Sequence, residues 1–198
     1  MTGTADDAVP PPWVQVVGHQ LPRDDGLYVR WDAENAWGTE PLVTTVSHVA
    51  ERMAWLVPGA EPLMVGDMST RGGGELFGHK THDTGQDADL GLYLTGRRQP
   101  LDGFVDVRPH QLDLEANWLL IRELLDTGNV QFILLDQGHI DTLSAYLVEQ
   151  RGFPQSYVDE VMPPPDDRLE WGTHGVVRHA PNHRSHLHVH VQRPADLL

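Results

Sequence analysis

The stretch HLHVHV, His186 to Val191, alternates imidazole and aliphatic side chains over six residues. In an extended chain alternate side chains share a face. Read as a strand, His186, His188 and His190 point one way, and Leu187, Val189 and Val191 point the other way into a core. Neighbouring imidazoles two residues apart on such a face can converge on one cation. His183 is off this parity and belongs on the turn entering the strand, from where it could approach sideways. A polar strand face open to water would show the same alternation, so the pattern becomes chemistry only with a matching second half.

That half is GHKTHDTGQDADLG, residues 78 to 91, which holds His79, His82, Asp87 and Asp89 in a Gly-flanked segment running into a strand. Asp87 and Asp89 share a face, while Ala88 and Leu90 can pack inward. A carboxylate inside an apolar strand is costly unless it is paired, hydrogen-bonded or bound to metal; the alternative is a solvated acidic strand end. The chain has no cysteine, which removes disulfides, thiol catalysis and thiolate metal sites together. A His/Asp donor set without thiolate suits Zn²⁺ in a nitrogen and oxygen site. Structural zinc sites usually fill all four positions, whereas catalytic ones use three protein ligands and leave the fourth to water.

Charge and hydropathy exclude other classes. A formal net charge of −15 argues against a nucleic-acid partner, whose phosphates call for a basic surface. No apolar run approaches the length of a spanning helix, and no basic amphipathic segment suggests a membrane face. The first residues, MTGTADDAVPPPW, lack the basic and apolar regions of a secretory signal. Residues 1–12 read as a disordered acidic, Pro-rich lead-in, and 13–198 as a single domain.

Along the chain, Leu42, Val46, Val49, Met53 and Leu56 step by one helix face, opened by Thr39 with Pro41 in the first turn and closed by Pro58-Gly59. LMVGDMS (63–69) reads as a short buried strand, RGGGELFG as a flexible loop, and DADLGLYL (87–94) as the next strand. A helix is expected over 113–126, ended by Gly128. NVQFILLD (129–136) should be a central strand. A third helix is expected over 141–150, with Asp141 as N-cap and Gly152 as stop. PPPDDRLEWGTHG is a loop with groups able to line a site, Trp171 and His174 among them. Helices and strands mix without a regular βαβ rhythm or a GxGxxG turn. The expected class is therefore α+β, a small, mostly antiparallel sheet flanked by helices.

GDMSTRGGGELFGHKTHDTGQDADLGLYL together with HAPNHRSHLHVHV resembles the penicillin-insensitive murein endopeptidases. These belong to a wider group with lysostaphin-type enzymes, D-Ala-D-Ala metallopeptidases and Hedgehog domains. The likeness spans about Ala36 to Val191. It implies one Zn²⁺ per chain, held by His82, Asp89 and His188. His186 falls on the catalytic histidine and His183 on the second active-site histidine, while His79 lies near the metal without counting among its ligands. His190 stands where relatives often carry arginine. The implied fold agrees with the α+β reading.

The resemblance also implies hydrolysis of the D-alanyl–meso-diaminopimelate amide in peptidoglycan cross-links, with action at the cell wall, periplasmic or extracellular. His79 and Asp87 are the nearest candidates to orient the ligand imidazoles. Asp67, Ser69 and Arg71 are candidate substrate contacts, Arg71 through a bidentate grip on a stem carboxylate. His19, His48, His110 and His139 read as surface or satisfied histidines. Two rival functions are a D,D-dipeptidase or carboxypeptidase on free peptide stems, and a zinc-stabilised binding module without turnover. The sequence leaves oligomeric state unread.

Overall fold

The alternation in HLHVHV is realised as a strand. The structure is a computed structural model that describes residues 18–23, 26–96, 103–164 and 175–192. In chain order its elements are β1 (His19–Gln20), β2 (Tyr28–Arg30), β3 (Trp37–Gly38), α1 (Glu40–Leu56), β4 (Leu63–Val65), β5 (Asp87–Gly91), α2 (Leu114–Asp126), β6 (Val130–Leu135), α3 (Gln137–Glu149), α4 (Gln155–Val161), β7 (Val177–His179) and β8 (His186–Val191). The expected lead-in over 1–12, and Trp171 and His174, lie outside the described residues.

Six strands form one sheet in the order β2-β4-β5-β8-β6-β7, and β1 pairs with β3 in a separate two-stranded ribbon. The inner ladders β4-β5, β5-β8 and β8-β6 are antiparallel; the outer pairs β2-β4 and β6-β7 are parallel. The fold is α+β with a mostly antiparallel sheet, as the sequence led one to expect.

One face of the sheet is apolar. Ala88, Leu90, Leu187, Val189, Ile133 and Val177 are fully buried and belong to the same cluster as Leu42, Val46, Val49 and Met53 of α1 and Trp118, Ile121 and Leu124 of α2. Burying each of these larger aliphatic side chains stabilises the fold by roughly 1.5–3 kcal/mol. The other face of the same strands carries the polar set. Register pairs Asp87 with His190, Asp89 with His188 and Gly91 with His186 across the β5-β8 ladder. The apolar face thus fixes the parity, and parity aims two carboxylates and three imidazoles at one side.

Local chemistry sets the helix ends. Thr39 caps α1, its hydroxyl accepting from the Leu42 amide, with Pro41 in the first turn. Asp113 caps α2 through the Ala116 amide at 3.0 Å. The third helix departs from expectation: α3 begins at Gln137, not 141, and its cap is Asp136, whose Oδ1 accepts from the Gly138 amide at 3.0 Å. Asp141 lies inside the helix and accepts from Gln137 Nε2. Gly138 gives the first turn a loop-like sequence, while the capping carboxylate already closes the strand before it. Gly152 does end this region, with φ of +71°. The strand expected over 87–94 stops at Gly91, and β6 lies between β8 and β7, inside the sheet but off its centre. The short β1, β2, β3 and β7, and α4, had no periodic signal to announce them.

Candidate metal and active site

The strand faces bring residues about a hundred positions apart into one cluster. His82 Nε2 lies 3.2 Å from His188 Nδ1 and 3.4 Å from Asp89 Oδ1, and His188 Nδ1 is 2.9 Å from the same Oδ1. Three potential ligand atoms therefore form a triangle with edges of 2.9–3.4 Å. All three residues are almost wholly buried, at 1%, 2% and 3% exposure for His82, Asp89 and His188. Burial of Asp89 and Asp87 rules out a solvated acidic strand end.

The outer atoms of each imidazole decide what the inner atoms can be. His82 Nδ1 is 2.6 Å from the Met68 carbonyl, so it must donate there, and neutral His82 presents a lone pair at Nε2. His188 Nε2 donates to Asp87 Oδ1 at 2.9 Å, which leaves Nδ1 facing the triangle. Asp89 adds a carboxylate oxygen. The donor set is two imidazole nitrogens and one carboxylate, with carbonyl and carboxylate partners behind the imidazoles, the arrangement that fixes tautomers at metal centres. The local field favours positive charge. Burial pulls His188 down, but hydrogen bonds to Asp87 and Asp89 overcome it and hold the imidazole at about 9. Burial pushes Asp89 up, yet the hydrogen bonds of His188 and His82 keep it well below the usual carboxylate range. The residues fit a divalent cation.

His79 adjoins the cluster. His79, His82 and Asp89 can each offer an atom within 4.8 Å of the others. His79 Nδ1 faces Asp89 Oδ2 at 3.7 Å, farther than the edges of the His82–Asp89–His188 triangle, and its Nε2 binds Asp67 Oδ2 at 3.0 Å. Asn35 Nδ2 donates to the other Asp67 oxygen at 2.9 Å. That bond to Asp67 raises the His79 pKa against the effect of burial.

His186 closes one side. Its Nε2 is 3.5 Å from Asp89 Oδ1, its Nδ1 lies 2.9 Å from Ser185 Oγ, and its ring stacks on Phe104 at 5.1 Å. Burial lowers its pKa to about 4. His183 stands on the turn before β8, its ring 5.1 Å from His186 and edge-on to His188 at 5.8 Å. His183 Nδ1 donates to the Pro181 carbonyl at 2.8 Å, and burial lowers its pKa. His139 is fully buried and pins that turn, Nε2 donating to the Arg184 carbonyl at 3.1 Å.

The three substrate-contact candidates separate. Asp67 supports His79. Ser69 is fully buried, its backbone bridging Ala36, and its hydroxyl meets no partner among the described residues. Arg71 is exposed, with its guanidinium over the Trp37 ring at 5.4 Å. A cavity of about 640 Å³ opens beyond Gly91, lined by Val29, Met64, Tyr93 and Asp113 among others. None of the clustered imidazoles is among its described lining residues, so the chemistry belongs to the cluster. Sequence reasoning passed over Met68, Phe104, Asn35 and Ser185. Only Ser185, beside the His run, had a local signal.

Residues 16–119, just over half of the chain, match the family described as penicillin-insensitive murein endopeptidase. The chain belongs to that family. The match contains His79, His82, Asp87 and Asp89 but ends well before His183–His190, so only the fold joins the second histidine block to the endopeptidase half. No curated protein sequence gives a significant match. No helix of this endopeptidase, among the described residues, is long and apolar enough to cross a membrane.

Proposed function

We propose that the protein is a zinc-dependent peptidoglycan endopeptidase that hydrolyses the D-alanyl–meso-diaminopimelate amide of peptide cross-links. The observation that carries this reading is the buried triangle of His82 Nε2, Asp89 Oδ1 and His188 Nδ1, flanked by His186 and His183. Family membership supports the substrate class.

In this reading His82, Asp89 and His188 hold one Zn²⁺. Bound there, zinc supplies Lewis acidity, polarising the scissile carbonyl and bringing the pKa of a water down to around 7. His186 is the general base. With Nδ1–H donating to Ser185 Oγ, the lone pair on Nε2 faces the cluster, and burial keeps the ring neutral before the proton is taken. The proton taken at Nε2 is then passed to the leaving amine. Phe104 holds the imidazole plane and excludes water from one of its faces. Neutral His183 has given its N–H to Pro181, so its Nε2 is an acceptor. With no N–H on that side, neutral His183 does not stabilise an oxyanion, and it packs its ring against His186 instead.

Digestion of purified diaminopimelate-type peptidoglycan, read by mass spectrometry, tests this. Cross-linked dimers should fall to monomers with free pentapeptide untouched, and a chelator should stop the reaction. His186→Ala should keep its zinc and lose at least about 100-fold in rate, the contribution typical of a general base. Full activity in that variant with zinc bound would refute the mechanism. Release of terminal D-alanine from free stems instead would move the assignment to a carboxypeptidase.

A further inference from the structure

We propose that His190 is a positioning residue for the metal site: stacked on Phe132, it donates to Asp87 and so fixes the carboxylate that orients His188. The inference rests on the zinc-site reading above and extends it one layer outward.

Asp87 is fully buried, and its Oδ1 accepts two imidazole N–H groups, His188 Nε2 at 2.9 Å and His190 Nδ1 at 2.7 Å. Its Oδ2 meets no partner among the described residues. The bond from His190 gives this carboxylate a second anchor beside its bond to His188. The shorter of the two bonds comes from the residue that is not a ligand.

His190 itself is held by strand register. The β6-β8 ladder places Phe132 directly opposite His190, with an irregularity in the ladder between Val130 and Phe132. The two rings are 4.7 Å apart and within 3° of parallel. Arg178, on β7, covers the far face of this pair with its guanidinium 5.0 Å from the Phe132 ring, and is itself fixed by donating to the Gly175 carbonyl. Arg178, Phe132, His190, Asp87 and His188 thus form a continuous path across β7, β6, β8 and β5, ending at a ligand nitrogen. With Asp87 fixed, the hydrogen that His188 retains on binding a metal is the one on Nε2, so that Nδ1 is the nitrogen offered toward His82 and Asp89. With Asp87 loose, the opposite tautomer becomes competitive and places a hydrogen where a metal would bind.

The test is zinc affinity of the full chain by competition with a chromophoric chelator, together with the absorption spectrum of the Co²⁺ form. His190→Phe keeps an aromatic ring on Phe132 and removes the donor. It should weaken zinc binding by up to about 10-fold, the lower end of the effect of losing a ligand's direct outer partner, and alter the Co²⁺ bands. His190→Asn, whose side-chain amide can replace the Nδ1 donor, should recover most of the affinity. In an Asp87→Ala background, His190→Phe should have no further effect. Wild-type affinity in a folded His190→Phe protein would overturn the inference, as would an undiminished effect without Asp87 or a failure of His190→Asn to recover. If the wild type bound no zinc at one per chain, the zinc-site reading would fail instead.

Discussion

At the residue scale, each candidate ligand is defined by the atom behind it. The Met68 carbonyl sets the His82 tautomer and Asp87 sets that of His188. Asp87→Asn removes the charge and can present an amide N–H to His188, so zinc affinity should fall about 10–100-fold. Isothermal titration of the metal-free protein checks this, and unchanged affinity would show that Asp87 does not orient the ligand. Asp89 and His188 stood out because polar side chains recur at fixed parity in otherwise apolar strands. His82, in the loop before β5, was singled out as a ligand only through the family resemblance. Phe104, Phe132 and Asn35 did not stand out, because their roles arise from contacts between distant segments and leave no local pattern. His139 was read as a surface or satisfied histidine; it is buried with its Nε2 bonded, while its Nδ1 has no partner among the described residues.

At the element scale, the site is a by-product of strand pairing, and two small features keep that pairing in place. Gly91 sits opposite His186, and a Cβ there would come within 2.6 Å of Met64 Cβ and 3.4 Å of Phe104. Gly91→Ala should therefore destabilise the protein by about 1–3 kcal/mol, as overpacking does, and displace Phe104 from His186. Urea denaturation measures the first effect. Asp136 is the second feature: it caps α3, pairs with Arg184 at 3.2 Å, and through its backbone N–H binds the His183 carbonyl. Asp136→Ala should cost about 1 kcal/mol through the lost cap and lower turnover more than metal affinity, because the turn carrying His183 loosens. Helices with strong apolar periodicity, α1 and α2, were readable almost to their ends. The start of α3 was not, because the capping residue doubles as the end of a strand and glycine follows it within two positions. Strands of two or three residues carry too few alternations to be seen.

At the scale of the whole molecule, two regions respond to solution conditions independently. Away from the site, Glu123 on α2 bonds Arg52 of α1 and Arg122 beside it, at 2.8 and 3.0 Å. Burial pushes Glu123 up, but these arginines more than offset it and its pKa lies below the ordinary value of 4.5. A carboxylate with a depressed folded pKa contributes stability that is present above the unfolded value and lost as pH falls through the folded one. Thermal melts should thus decline below about pH 4.5, with a shallower decline in Glu123→Gln; identical slopes would contradict the assignment. At the site, chelation should lower the melting temperature as well as abolish hydrolysis, and zinc should restore both, since a ligand bound only by the native state stabilises it. The central claim is that β5, β8 and the loop before β5 clasp one divalent ion. The direct measurement is a crystal structure of the zinc-loaded protein with anomalous data at the zinc edge. One anomalous peak roughly 2.0–2.2 Å from His82 Nε2, Asp89 Oδ1 and His188 Nδ1 is the predicted result. A peak bound through His79 with His188 outside its coordination, or no peak at the cluster, would contradict it.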